Sequence, residues 1–174
     1  MKIILLLLLV VSLFAACNTK TKNDFTTAPS TDTLSYAYKA TYSSDITVPG
    51  NRLYAQKVLQ VWKMFETAKI QEMKPYFADS VKYDDAGGMH FYGPAEKLLA
   101  YAKSDIDGLD SMRFDIVMWQ SSHINDRNED WVNIWSRERR YPKKGEKADT
   151  VLMQENWKVK DGKIIAFDQY TAKK

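Results

Sequence analysis

The chain has 174 residues, a formal net charge of +3, one cysteine, two histidines, 45% hydrophobic residues and 13% aromatic residues. A polar tail or low-complexity polymer would carry fewer apolar groups, so a folded core is expected within one domain and its appendages. A single Cys excludes an internal disulfide framework and any multi-Cys zinc site, and two histidines, His90 and His123, leave little room for imidazole-based metal chemistry.

Met1 and Lys2 precede residues 3–14, which are apolar except for Ser12, and then come Ala15, Ala16 and Cys17. A helix over that stretch would span ~18 Å. The hydrocarbon core is ~30 Å thick, so the stretch reads as the apolar region of a signal peptide, residues 1–16, rather than a permanent span. The segment Leu13-Phe14-Ala15-Ala16-Cys17 resembles the lipobox of bacterial lipoproteins, with Phe14 where Leu is usual. That resemblance implies that Cys17 is lipidated, becomes the new N-terminus and holds the protein on a membrane through several acyl chains. Asn18 gives no retention signal of the Asp type, so the expected address is the outer membrane, facing the periplasm. The alternative is an ordinary secretory signal followed by a chance cysteine. Cleavage removes one cationic side chain, Lys2, and the remaining charge is too small to argue for nucleic acid as a partner.

Residues 17–50 make a lipid-anchored tether. Its stretch 18–35 is rich in Thr, Ser, Lys, Asn and Asp and cannot bury enough surface to offset its ordering entropy. Tyr36, Tyr38, Tyr42, Ile46 and Val48 share one alternation parity, so the end of the tether is either an extended strap on the domain or a stickier piece of linker.

The folded domain is expected over residues 51–174. Tyr54, Val58, Val61, Trp62 and Phe65 form the stripe of an amphipathic helix. A short helix over residues 70–77 would hold Pro75 near its first turn, where a missing N–H costs little. A third helix opens at Gly93-Pro94 with Ala95, Leu98, Leu99 and Ala102 inward, and ends before a turn at residues 105–108. The period then changes: residues 112–119, 131–139, 151–159 and 164–170 read as strands. Asp161-Gly162 between two strand patterns is a strong hairpin signal. Helices followed by an antiparallel meander mean α+β.

Taken in order, the helix, the short helix, Phe77-Ala-Asp-Ser-Val-Lys-Tyr-Asp-Asp85, a Gly-rich loop, the helix opened by Gly93 and the final Trp157-Lys-Val-Lys-Asp-Gly-Lys-Ile164 resemble the nuclear transport factor 2-like (NTF2-like) superfamily. Its SnoaL-like and ketosteroid isomerase-like members share the F-A-D and W-x-V-x-D-G-K-I landmarks. The resemblance implies a cone in which three N-terminal helices pack on a curved antiparallel sheet around an apolar pocket. Fold alone does not fix function.

Alternation puts Asp85, with Val81 and Tyr83, on the apolar face of its strand, and Glu155 in the apolar row of Val151, Met153, Trp157 and Val159. Buried carboxyls are costly unless paired or used. Ketosteroid isomerase-like enzymes place a general-base Asp where Asp85 stands and a neutral, hydrogen-bond-donating acid where Glu155 stands, so the resemblance implies those roles for the two residues. Their oxyanion Tyr would fall near Val61, with Trp62 beside it, so the constellation is incomplete; Tyr83 or Tyr92 are the substitutes on hand. The bland readings are a loop-capping role for Asp85 and an ion pair of Glu155 with Arg137 or Arg139. His90 either joins Asp85 at the pocket rim or is solvated. Trp62 and Trp157 either line the pocket or simply pack the core. No cofactor is expected, and no ligand spacing supports a metal at Asp85, His90 and Glu155. Trp131 and Trp135 share a strand face opposite Val132 and Ile134, and either face can be the inner one: outward, the Trp face suits a homodimer, and inward it lines a pocket for a flat apolar ligand.

Three readings follow. The first is an envelope-anchored, non-catalytic pocket for a small apolar or amphipathic molecule. The second is an isomerase, dehydratase or cyclase with Asp85 as base and Glu155 as acid. The third is an interaction module using the Trp-rich sheet face.

Overall fold

The computed structural model describes residues 37, 39–143 and 147–173. The signal segment, Cys17 and the tether through Tyr36 lie outside the described residues. A compact unit begins at Ala40. Its elements are β1 (Ile46–Thr47), α1 (Arg52–Glu66), a 3-10 helix (Ile70–Tyr76), β2 (Phe77–Asp85), β3 (His90–Pro94), α2 (Ala95–Asp107), β4 (Leu109–Ile124), β5 (Glu129–Pro142), β6 (Asp149–Lys160) and β7 (Lys163–Lys173).

Helix α1 starts where Asn51 caps it, its side chain accepting from the Leu53 N–H at 3.0 Å. It ends where Ala68, in the left-handed region at φ 58°, turns the chain out and Lys69 N–H returns to Met64 O. Its apolar stripe is real: Ala55, Val58, Val61 and Trp62 are buried. Pro75 lies in the last turn of the 3-10 helix, not near its first turn, and Phe77 already belongs to β2. Helix α2 starts at Ala95, because Gly93 and Pro94 are paired in β3 opposite Val81 and Ser80.

The seven strands run in the order β1-β4-β5-β6-β7-β2-β3. All neighbours are antiparallel except β2 and β7, which are parallel, so the sheet is mixed rather than antiparallel. Successive hairpins fix the direction of β7, and β2 docks on its remaining edge in the same sense. Likewise, only α1 and the 3-10 helix precede the main sheet; α2 follows the β2–β3 hairpin. The Asp161-Gly162 turn has both residues at positive φ, 50° and 74°, as a tight hairpin of this type requires. A register shift between Ile116 and Met118 bulges β4, a device that bends a strand and lets a sheet curl over its helices.

The end of the tether is a strap. Ile46 and Thr47 pair with Ile124 and His123, and Gly50 N–H donates to Ser121 O at 2.9 Å. A Cβ on Gly50 would meet the Ser122 carbonyl carbon at 2.5 Å, so only glycine allows this approach. Tyr42 donates to Glu129, and the Arg127 guanidinium lies 3.8 Å above the Tyr42 ring.

The core lies between the helices and the concave sheet face, with Val58, Val61, Val81, Val132, Ile134 and Ile164 almost wholly buried. Val132 and Ile134 take the inner face of β5, which leaves Trp131 and Trp135 half-buried on the outer one.

Candidate functional site

Strand alternation delivers alternate residues of β2, β4, β5, β6 and β7 to the concave face, and α1, α2 and the 3-10 helix close over them. A cavity of about 240 Å³ remains. Its walls are largely aromatic: Trp62 and Phe65 from α1, Phe77 and Tyr83 from β2, Phe114 from β4, Trp157 from β6 and Phe167 from β7. The Trp157 and Phe167 rings stack with centroids 4.2 Å apart and planes 7° from parallel. Trp62 and Phe114 meet at 4.5 Å.

Register explains how two acids reach this space. Gln169 pairs with Asp85 on one side and with Glu155 on the other, so Asp85, Gln169 and Glu155 form one row across β2, β7 and β6. With strands ~4.8 Å apart, the two acidic residues have Cα atoms about 10 Å apart. The neighbouring row, Tyr83–Phe167–Trp157, is aromatic. A polar row therefore runs beside an aromatic one on the same cavity wall.

Glu155 is 5% exposed. Trp157 Nε1–H donates to its Oε2 at 2.8 Å. Burial pushes its carboxyl up to about 8, the indole N–H groups of Trp157 and Trp62 pull against that rise, and the nearby Glu138 adds to it. At neutral pH the group is therefore mostly a neutral acid able to donate a hydrogen bond. The Trp62 indole N–H is buried beside it without a partner in bonding geometry.

Asp85 combines the two roles open to it. Its Oδ1 accepts from the Met89 N–H at 2.9 Å and its main chain brackets the Gly-rich loop, while the carboxylate lines the cavity. Tyr83 donates to Gln169 Oε1 at 2.8 Å and lies 3.5 Å from Asp85 Oδ2. Burial, Asp85 and Glu155 hold the Tyr83 phenol above its ordinary range, so it remains protonated.

Sequence reasoning missed a charged group in the cavity. Glu138, 2% exposed, accepts from Arg140 Nε at 2.8 Å, and Arg140 Nη1 donates to Asp105 Oδ1 on α2 at 2.9 Å. Burial pushes the Glu138 carboxyl up, and Arg140 opposes that. The signal was parity: once Val132 and Ile134 point inward, so do Glu138 and Arg140. Glu155 makes no ion pair with Arg137 or Arg139; Arg137 is exposed, and Arg139 pairs with Asp115.

The structure thus brings together Trp62, Tyr83, Asp85, Glu155 and Trp157, and leaves out His90 and Tyr92. His90 pairs across the strands with Asp84, and Tyr92 with Lys82, both on the outward parity of β2. The His90 ring is exposed with Nδ1 2.8 Å from Asp84 Oδ1, and Tyr92 is 80% exposed. Neither lines the cavity, and His90 does not join Asp85. Among the described residues, no group of three or more His, Cys, Asp or Glu side chains is arranged to hold a metal ion.

No family model and no curated protein matches the chain. Among solved structures it is similar to an NTF2-like protein of unknown function from Burkholderia pseudomallei, with 13% identity, a TM-score of 0.57, and coverage of 68% of this chain and 90% of that one. It is also similar to a putative scytalone dehydratase from Novosphingobium aromaticivorans, with 10% identity, a TM-score of 0.59, and coverage of 70% and 83%. A third is a hypothetical protein of ketosteroid isomerase-like fold from Catenulispora acidiphila in complex with trimethylamine, with 15% identity, a TM-score of 0.53, and coverage of 65% and 83%. The chain has the NTF2-like fold, an α+β architecture compatible with both enzymatic and binding roles.

Proposed function

We propose that this is an envelope-anchored lipoprotein whose NTF2-like domain is a non-catalytic receptor for a small apolar or amphipathic molecule. Cys17 carries the lipid, and the tether holds the domain on the periplasmic side of the outer membrane. The observation that carries the receptor reading is the aromatic-walled cavity with a neutral acid, Glu155, in its lining. Apolar cavities of ~150 Å³ hold benzene, and drug-sized ligands need ~300 Å³ or more. A cavity of about 240 Å³ suits a one- or two-ring molecule. The Catenulispora acidiphila complex supports a small-molecule role for this fold.

The enzyme reading has one specific point in its favour: Asp85 and Glu155 line the same cavity. Against it, Asp85 is already held by the Met89 N–H with the Tyr83 hydroxyl close by, so the oxygens a base would turn to substrate are engaged within the protein. A thermal-shift screen of one- and two-ring compounds, followed by mass analysis of the bound compound, tests the proposal. Stabilisation by some of them, recovered unchanged, is expected for the wild type and lost in Ala102→Phe, which fills the cavity from α2. No compound favouring the wild type over the filled variant would refute the receptor reading, and recovery of an altered compound would favour the enzyme.

A further inference from the structure

The cavity's charges do not balance. Asp85, Asp105, Glu138 and Glu155 line it with a single cation, Arg140. Arg140 is spent, bonding Glu138 through Nε and Asp105 through Nη1. Among the described residues, no Lys, Arg or His nitrogen forms an ion pair with Asp85 or Glu155. Donors that serve a carboxylate are nevertheless in place at Glu155: Trp157 Nε1–H is bonded to it, and Trp62 Nε1–H is buried beside it with no partner. What the site lacks is a positive charge.

Resting on the pocket reading above, we infer that the ligand supplies that charge and is a small organic cation, an alkylated ammonium seated between the aromatic rings and the Asp85–Glu155 row. The walls decide the kind of cation. Ring faces supply most of the wall and offer no oxygen donors to a hard metal ion, and among the described residues no three His, Cys, Asp or Glu side chains are grouped around one point. A strongly hydrated primary ammonium would lose its water against indole and phenyl faces. A tertiary or quaternary ammonium is weakly hydrated, presents methyl groups to the rings and gains from their quadrupoles. When it arrives, Glu155 can ionise, and the waiting Trp62 N–H then has a carboxylate to serve.

The test uses two probes of the same shape, trimethylphenylammonium and tert-butylbenzene, titrated into the mature protein at neutral pH and followed by tryptophan fluorescence. The cation is expected to bind about tenfold more tightly than the neutral probe, and Asp85→Asn to shrink that ratio. Equal affinity, or tighter binding of the neutral probe, would overturn the cationic ligand while leaving the pocket reading intact. Failure of both probes to bind would overturn both.

Discussion

Asp85 and Glu155 stand in one row of the sheet with Gln169 paired between them, and both line the same aromatic cavity. Only Glu155 is taken fully out of water, and its carboxyl is the more consequential of the two for folding.

Its folded-state pKa, about 8, lies above the ordinary carboxyl value of 4.5. Below the ordinary value, folded and unfolded chains both hold the proton. Between the two values only the folded chain holds it, so stability falls as pH rises, by up to about 1.4 kcal/mol per unit, and levels off above pH 8. Glu138, also raised, adds to the same slope. Urea denaturation at pH 5, 6.5 and 8 should show this decline. Glu155→Gln should flatten it and be the more stable protein at pH 8.

Trp157→Phe keeps the ring stacked on Phe167 but removes the N–H that serves Glu155. Because that donor favours the ionised form, its loss should move the levelling point of the stability curve above that of the wild type and cost about 1–3 kcal/mol at pH 8. The same denaturation series measures it.

Arg140→Met should strand Glu138, whose side chain is only 2% exposed. The expected cost is about 3 kcal/mol at pH 8 and less at pH 5, where Glu138 can take up a proton. Glu138→Gln in the Arg140→Met background should recover most of the loss, as read by calorimetric Tm.

Much of this was legible in the sequence. Period-2 alternation around Val81 and Val151 was enough to turn Asp85 and Glu155 toward the core, and Asp161-Gly162 marked its hairpin. The parallel β2–β7 pairing left no local trace, because strand direction is set by how many hairpins intervene. Strand β3 is short and was hidden by the Gly-rich loop, so His90 and Tyr92 had no parity to assign until their partners Asp84 and Lys82 were known. Glu138 and Arg140 stayed undetected because both faces of β5 carry large apolar residues.

The strap predicts a local effect. Gly50→Ala forces the chain off the Ser122 backbone, and Arg127→Ala removes the guanidinium above Tyr42. Amide exchange should accelerate at Gly50 and Asn125, while global stability falls by less than about 1 kcal/mol in Arg127→Ala, since that contact is exposed.

Native mass spectrometry of the protein purified from its own host, beside Ala102→Phe prepared the same way, addresses the receptor claim most directly. A single small-molecule adduct, of mass suited to one or two rings, is expected on the wild type and absent from the filled variant. Bare wild-type protein, or the same adduct on both, would contradict it.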